Sequence, residues 1–462
     1  MSTILWILLI ILIIGLCAII AKRLFKLDLY LGFLIMIRTT RLIKYLDELA
    51  KHNKFLNIVT DIGIVIGFGA FGLDYVIRDE VKSRYQRFLI FIGSGLVLSY
   101  LTYILTQKML FSSALIPEWF AIIIVILTGI MGLSGFTLGS LIFSAFDILA
   151  KVSVGQGGSA CPGVGLVIPG IQMPKVDIFI PWYGWIILII AAIVHETCHG
   201  ILLRKMKVKI KSMGFMFAGL LPLGAFVEPD EKDIEKKNKR DIARMYSAGP
   251  MSNVILAIIF FLLFLAFTPI MTNYSHSIGT SKMDSVYIYA VDQNTDVCGS
   301  VFPSPAYGVL DVNDIIVAVN NKVIVTQSGL NSAVKLNVDN NFVIKNPETG
   351  EIRTVVLRPN EMGRLGFTSA VIPDPDLKIP FLYYVYKTIF SVLLWSALLN
   401  FIIATVNYLP SFPFDGGGMS QIIFSDYLNK KHNERKRMKL IAKFFGTLIV
   451  LLLVLNVLPY FL

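Results

Sequence analysis

The sequence predicts an α-helical polytopic membrane protein of about eight transmembrane helices. A re-entrant or cytoplasmic β segment and an inserted extracellular α+β domain complete the predicted fold. The first observation is composition: of 462 residues, 55% are hydrophobic and 16% charged, with a mean hydropathy of +0.70. Soluble domains carry about a quarter charged residues. The second observation is that several apolar runs reach the roughly 20 residues that a membrane-crossing helix needs.

The apolar runs divide into clear and ambiguous spans. Phe120–Ala150 is too long for one relaxed span, so it forms either one tilted helix or two short ones. Asp61, Asp74 and several glycines interrupt Ile58–Val76. The first run lacks a basic stretch and a clear cleavage site, which favours a retained span over a signal peptide. The clear spans are Thr3–Ala21, Phe88–Thr106, Trp182–Leu203, Ser247–Met271, Phe381–Leu409 and Leu440–Leu462.

Lysine and arginine predict the orientation of these spans, because cytoplasmic loops are enriched in both. The three loops with dense basic runs are 204–211, 232–240 and 430–439. These loops are therefore predicted to be cytoplasmic, and the helix Trp182–Leu203 then runs from outside to inside. The net charge of +11 follows from basic residues beside apolar segments. Since they are not collected on a polar surface, we expect no nucleic-acid partner.

The N-terminal loops constrain the ambiguous spans. Residues 22–54 are basic, which places the N-terminus outside. The loop 78–87 is basic as well. It fits the cytoplasmic side only if Ile58–Val76 does not span and Phe120–Ala150 crosses twice, and we favour that arrangement.

One long polar segment, residues 276–378, holds eight Lys/Arg and eleven Asp/Glu. It alternates apolar and polar residues, and Gly, Asn and Pro interrupt it. The runs VYIYAV, DIIVAV and EIRTVVL are typical of strands bounded by turns. The count of crossings places this domain outside.

Two further loops and the cysteines bear on possible chemistry. Residues 207–231 are too polar and too broken by Gly and Pro for a span, which favours strands or a re-entrant loop over an ordinary linker. The glycine-rich 155–170 lacks the Lys-Ser/Thr of a phosphate loop, so we expect no nucleotide role. The four cysteines are scattered and predict neither a disulfide scaffold nor a thiolate metal cluster.

The stretch VHETCHGILL carries the strongest chemical signal. His195 and His199 lie four residues apart, so a helix places both imidazoles on one face, one turn apart. Two imidazole nitrogens at this spacing bind zinc, and Glu196 is placed to accept a proton from water. The alternative is a polar helix–helix contact or a chance match. Ionisable residues inside a membrane helix are costly, which favours the functional interpretation.

A catalytic zinc site needs a third protein ligand. His52, His276 and His432 are predicted to be surface residues, and Cys198 to serve packing. Asp415 in NYLPSFPFDGGGM is the favoured third ligand. It closes an apolar segment, follows two helix-breaking prolines, and precedes three glycines that permit close backbone approach.

These motifs resemble the site-2 protease family of intramembrane zinc metalloproteases. H195-E-T-C-H199 matches the family's HExxH, and N407-Y-L-P-S-F-P-F-D415-G matches its N-x-x-P-x(4)-D-G. The segment GAFVE at 224–228 resembles the strand after the HExxH helix. AGPMSN at 248–253 resembles the start of the next core helix. A plain helix start there, with Ser247 as N-cap, is the alternative.

The resemblance covers about residues 180–425. SPAYGVLDVNDIIVAVNNKVI is similar to a PDZ domain, although Asn313 replaces a usual glycine, and GVGLVIPG is closer to archaeal than to bacterial members. The domains implied are an N-terminal transmembrane region 1–180, protease core halves 181–275 and 379–427, the PDZ-like domain 276–378, and a basic loop with the last helix 428–462.

The resemblance implies a zinc-dependent intramembrane endopeptidase that cleaves transmembrane protein substrates. It implies one Zn²⁺ per chain held by His195, His199 and Asp415, with Glu196 catalytic and Asn407 at the substrate or oxyanion. Asn253 and Gly416 would support the site. The expected location is the cell membrane, with the site in the cytoplasmic half of the bilayer and the PDZ-like domain outside. The alternatives are a zinc protease with another third ligand, a catalytically inactive scaffold and a zinc transporter.

Overall fold

The computed structural model describes residues 34–51, 53–107, 117–155, 160–165, 167–173, 178–218, 221–278, 286–297, 300–325, 327–336, 338–360, 363–371, 380–428 and 433–462, with a few isolated positions besides. The first predicted span, Thr3–Ala21, lies outside these ranges. The helices are α1 Ile43–Leu49, α2 Asn53–Ile77, α3 Arg84–Thr106, α4 Glu118–Ser153, α5 Gly184–Lys205, α6 Glu231–Ile234, α7 Lys239–Ser277, α8 Gln327–Ala333, α9 Phe381–Asn407, α10 Asp415–Ser425 and α11 Glu434–Val457.

The strands form three sheets. A four-stranded sheet has the order β1-β2-β3-β4, a larger sheet has the order β11-β10-β8-β5-β12 with β9 paired to β8, and β6 pairs with β7. The strands are β1 Leu29–Tyr30, β2 Leu34–Thr39, β3 Ile210–Ala218, β4 Leu221–Pro229, β5 Val286–Val291, β6 Asn294–Val297, β7 Ser300–Pro303, β8 Ile315–Val319, β9 Lys322–Val323, β10 Asn340–Lys345, β11 Ile352–Leu357 and β12 Phe367–Val371.

Within the described ranges, seven helices are long and apolar enough to cross a membrane: α2, α3, α4, α5, α7, α9 and α11. Each coincides with a run predicted from the sequence. Many of their large apolar side chains are not covered by other parts of the protein, such as Leu105 on α3 and Leu262 on α7. Exposed apolar side chains along helices of this length suit a lipid environment. The chain is therefore a multi-pass membrane protein.

Helix α2 bends back on itself at Gly69, where φ is +55°. Arg240 contacts carboxylates at both ends of the bend, Asp61 at 3.0 Å and Asp79 at 3.9 Å. A straight helix would separate residues 18 apart by about 27 Å. Both ends of α2 therefore lie beside the start of α7, and whether Ile58–Val76 spans stays a prediction.

Helix α4 bends in the same way at Gly132, where φ is +60°. The rings of Phe120 and Phe143 lie 4.9 Å apart, although a straight helix would separate them by about 35 Å. The predicted Phe120–Ala150 run therefore consists of two helical segments. The two bends meet: a Cβ on Gly132 would lie 2.2 Å from Ile66 O, and one on Gly69 would lie 2.6 Å from Gly132 N. Only glycine permits both the positive φ and this backbone contact.

The segment 207–231 forms the strands β3 and β4, so the prediction of strands is confirmed and the ordinary linker is wrong. The N-terminal region adds β2, which pairs antiparallel with β3. Arg38 on β2 and Ser212 on β3 both bond Glu228 on β4, at 3.0 and 2.7 Å. These cross-strand contacts hold β4 in place. Within the described chain, β4 is the last strand of its sheet.

Residues 151–161 and 262–393 form a second compact unit, which contains the larger sheet. Its core buries Val286, Ile316, Phe342 and Leu357 among other apolar side chains. The three strands predicted from VYIYAV, DIIVAV and EIRTVVL are confirmed as β5, β8 and β11. In this unit Asp314, only 1% exposed, accepts a hydrogen bond from Arg353 at 2.6 Å. That bond raises the pKa of the Arg353 guanidinium.

Two expectations were wrong. Helix α7 begins at Lys239, eight residues before the predicted Ser247, so Pro250 lies inside the helix instead of in its first turn. In these early turns Arg244 pairs with Asp61 at 2.7 Å, and this ion pair adds to the helix propensity of the Lys, Arg and Ala residues there. Ser247 is no N-cap, since its hydroxyl donates to Thr60 O.

Cys161 is disulfide-bonded, which the scattered cysteine spacing did not predict.

Candidate metal centre

Helix α5 presents the two histidines. His195 and His199 are both buried, one turn apart on the same helix face, as the i, i+4 spacing requires. Their rings meet at a centroid distance of 4.9 Å. The backbone N–H and C=O groups of α5 bond to each other within the helix, so its apolar sequence can lie in lipid. The two imidazoles face α7.

Asp415 arrives from the other half of the chain. Helix α9 ends at Asn407, and α10 begins at Asp415 after the interrupted segment 408–414. A Cβ on Gly416 would lie 2.3 Å from Tyr408 O, so glycine is required for α10 to pack against that segment. Ser420 donates to Pro410 O, which satisfies one of the carbonyls that the break releases. The tight packing fixes the direction of the Asp415 side chain.

The two histidines and Asp415 converge on one point. Asp415 Oδ2 lies 3.0 Å from His195 Nε2 and 3.2 Å from His199 Nε2. Tetrahedral zinc bonded at about 2.0–2.1 Å would hold its ligand atoms about 3.3–3.4 Å apart. The observed separations therefore fit a zinc ion after a small outward shift.

The outer nitrogens of both imidazoles are engaged by acceptors. His195 Nδ1 lies 2.6 Å from Asn253 Oδ1, and His199 Nδ1 lies 2.7 Å from Met245 O. Both partners are on α7. An Nδ1–H that donates outward leaves the Nε2 lone pair for a metal, which is the arrangement that metal-binding histidines adopt. The donor chemistry of the site thus suits zinc.

Gly249 allows α7 to approach the histidines. A Cβ at this position would lie 2.3 Å from His199 Nε2 and 2.5 Å from His195 Nε2. Those distances are far below contact distance, so the space in front of both Nε2 atoms exists only because residue 249 has no side chain.

Glu196 lies beside the two histidines. Ligand atoms of His195, Glu196 and His199 all fall within 4.8 Å of one another. Glu196 Oε2 accepts a hydrogen bond from Val227 N on β4 at 3.1 Å. Of the two carboxylates, Asp415 is the one in contact with both Nε2 atoms, while Glu196 is anchored to the strand. Asp415 is therefore placed as a metal ligand and Glu196 as a general base.

Asn407, Cys198 and the other three histidines are also predicted from the sequence as site, packing or surface residues. Asn407 donates one N–H of Nδ2 to Ile403 O on its own helix at 3.0 Å, and the second N–H of that amide is not used by this bond. Cys198 is a free thiol packed in an apolar cluster with Leu202 and Met245, consistent with a packing role. His52 and His432 lie outside the described residues, as does the side chain of His276.

Sequence reasoning did not identify Met245 or Gly249 as contacts of the histidines. Met245 contributes a backbone carbonyl, and a backbone group leaves no mark on residue type. Gly249 lies within the AGPMSN motif, whose glycine was a usable signal of close approach.

Replacing Asp415 with alanine is expected to leave purified protein with far less than one zinc per chain. Two imidazoles alone do not complete the three-ligand set of a catalytic zinc site. Metal analysis by inductively coupled plasma mass spectrometry measures the loss. Asp233→Ala, which removes an exposed carboxylate paired with Lys236, is the control. Unchanged zinc in Asp415→Ala would remove Asp415 from the site.

Comparison with known proteins agrees with this geometry. Residues 183–454 match the family model described as peptidase family M50. A curated but uncharacterized protein of Methanocaldococcus jannaschii is 32% identical over 241 residues, covering 51% of this chain and 56% of that protein. The chain thus spans about half the length of the curated relative that it matches. It belongs to peptidase family M50, the site-2 protease family of membrane zinc metallopeptidases.

Proposed function

We propose that this protein is a zinc-dependent intramembrane endopeptidase that cleaves transmembrane helices of other membrane proteins. The observation that carries the proposal is the position of Asp415 Oδ2, which lies 3.0 Å from His195 Nε2 and 3.2 Å from His199 Nε2, with Glu196 alongside. A metal site built on apolar helices acts on bonds that lie at the same depth.

The depth and side of the site follow from α5. His199 lies six residues before the end of α5 at Lys205, or about 9 Å along the helix axis. The basic run that follows favours a cytoplasmic end. The disulfide of Cys161 in the segment before α5 suits an oxidising, extracytoplasmic side. These features support a site in the cytoplasmic half of the bilayer.

The proposed mechanism assigns each residue a step. When bound, a zinc ion held by His195, His199 and Asp415 supplies Lewis-acid polarisation. Glu196 accepts the proton of the attacking water and later delivers it to the leaving amine. Asn407 would contact the substrate or its developing oxyanion. One N–H of Asn407 Nδ2 donates to Ile403 O, which leaves the second N–H of the amide for this contact.

The strand β4 is the proposed binding edge for substrate. Val227 N points away from β3 and towards Glu196, so by the alternation of an antiparallel ladder Ala225 also presents its N–H and C=O outward. A substrate helix must unwind to expose its peptide bonds, and an unwound segment in lipid requires hydrogen-bond partners. Pairing with β4 would supply them and place the substrate beside Glu196.

Replacing Ala225 with proline tests this edge. Proline removes the outward N–H, and an edge strand tolerates it where that N–H faces away from the sheet. One lost backbone hydrogen bond is worth about 0.5–1.5 kcal/mol, so kcat/KM is expected to fall about two- to tenfold. Zinc content should not change. Phe226→Pro is the contrasting variant, because it removes an inward N–H and should lower the melting temperature. Wild-type kcat/KM in Ala225→Pro would argue against strand pairing.

Reconstitution tests the function itself. The purified protein is placed in liposomes with a single-span protein that carries a helix-destabilising residue in its transmembrane segment. Cleavage products within the span, sensitive to a zinc chelator and restored by added zinc, are expected by mass spectrometry. Cleavage confined to loops, or insensitive to chelation, would contradict the proposal.

We propose that residues 276–378 form a PDZ-like domain on the extracytoplasmic side, supported by the strand pattern and by the positive φ of 76° at Asn313, which stands where that fold uses glycine. A zinc transporter would not require Glu196. Zinc flux into the same liposomes would identify one, whereas the proposal expects none.

A further inference from the structure

Two buried side-chain amides extend the histidine contact across three helices. Asn253 on α7 is fully buried, and Asn400 on α9 is 2% exposed. Asn253 Oδ1 lies 2.6 Å from His195 Nδ1, and Asn253 Nδ2 donates to Asn400 Oδ1 at 2.9 Å. Asn400 Nδ2 donates in turn to Ser396 O at 2.8 Å. The result is a continuous chain of hydrogen bonds from a helix carbonyl to an imidazole.

The direction of this chain is imposed from its far end. Ser396 O is a carbonyl and only accepts, so Asn400 must turn its NH₂ towards it and its oxygen towards Asn253. Asn253 must then turn its NH₂ towards Asn400 and its oxygen towards His195. Because Asn253 then presents Oδ1, an acceptor, to Nδ1 at 2.6 Å, the imidazole carries its proton on Nδ1 and offers the Nε2 lone pair to the metal.

His199 needs no such arrangement. Its Nδ1 partner is Met245 O, a backbone carbonyl that cannot exchange its acceptor for a donor. The Asn253 amide can make that exchange, because rotation by half a turn would turn its NH₂ towards His195 Nδ1–H and set two donors against each other. Asn253 Nδ2 also lies 3.4 Å from Ala191 O, a long contact that alone holds this orientation weakly.

We propose that Asn400 is a positioning residue, which orients Asn253 and thereby holds His195 in its metal-binding tautomer. Asn400 lies seven residues before Asn407, outside the N-x-x-P-x(4)-D-G motif. The inference rests on the proposed zinc site and adds a third helix to its support: α9 then positions His195 through Asn400 and leads into the segment that carries Asp415. Asn400 itself touches neither substrate nor metal.

Zinc affinity, measured by competition with a chromogenic chelator, tests the proposal. Asn400→Leu keeps the side-chain size and removes both hydrogen bonds, so affinity is expected to fall about 10–100-fold, as for loss of a second-shell partner. Asn400→Asp is neutral at this buried position, so its O–H can donate to Ser396 O while its other oxygen accepts from Asn253 Nδ2, and affinity is expected to stay near wild type. Affinity within twofold of wild type in Asn400→Leu would overturn the proposal.

A double-mutant cycle separates orientation from packing. Asn253→Asp places two equivalent oxygens beside His195, so its orientation no longer matters and affinity should remain close to wild type. In that background Asn400→Leu is expected to have little further effect. An equal loss in both backgrounds would mean that Asn400 acts by packing alone, which contradicts the proposal. If wild-type protein bound no zinc, the proposed function would fail instead, so the two failures are distinguishable. Circular dichroism of each zinc-free variant checks that it folds.

Discussion

Replacing Gly249 with alanine is expected to abolish zinc binding. The added methyl would lie 2.3 and 2.5 Å from the Nε2 atoms of His199 and His195, so α7 or both imidazoles must move away. Since three ligand atoms must lie within bonding distance of one ion, the loss in affinity should exceed the about 10–100-fold typical of an outer-shell defect. Metal analysis of purified protein measures it.

The control for this prediction is Gly93→Ala on α3, where an added Cβ meets no atom within 4 Å. Both substitutions replace a helical glycine in a membrane helix, and both favour helix formation in general. Gly93→Ala should keep one zinc per chain. Full zinc occupancy in Gly249→Ala would show that α7 does not approach the histidines as closely as the structure describes.

Replacing Glu196 with glutamine is expected to leave zinc bound and to reduce cleavage by about 10²–10⁴-fold, the usual contribution of a general base. Glutamine keeps a carbonyl oxygen that can accept from Val227 N, so β4 should stay in place. It cannot accept the proton of the attacking water. Zinc content and single-turnover cleavage in liposomes separate the two effects.

Glu235→Gln provides the matched control, because it makes the same chemical change at a site away from the metal centre. Glu235 is exposed and pairs with the exposed Arg435, and such pairs are worth about 0–1 kcal/mol. Its cleavage rate should equal that of wild type. Full activity in Glu196→Gln would contradict the assignment of Glu196 as the base, and loss of its zinc would assign it to the ligand set.

The membrane helices were predictable because the signal is local. An apolar run such as Phe381–Leu409 is long enough to span on its own composition, and the structure places α9 at Phe381–Asn407. The start of α7 was not predictable in this way. Its first two turns are charged, and Arg240 and Arg244 in them pair with Asp61, about 180 residues earlier in the chain.

The bends in α2 and α4 show the same limit. Glycines mark both helices, and charge counting favoured a non-spanning Ile58–Val76. The bend positions, however, depend on contact between Gly69 and Gly132, which are far apart in sequence. Hydrophobic periodicity reports how a segment faces its surroundings, and it does not report which distant backbone a glycine will meet.

The sequence by itself determined the paired imidazoles of His195 and His199 and the adjacent Glu196, because four-residue spacing on a helix is a local property. It also indicated Asp415 as a candidate, through the prolines and glycines around it. Only the tertiary structure brought Asp415 Oδ2 to both Nε2 atoms, and only the tertiary structure connected Asn400 through Asn253 to His195. The physical reason is that hydrogen bonds and metal ligands act over about 3 Å, whereas helix packing alone decides which residues of α5, α7 and α9 come that close.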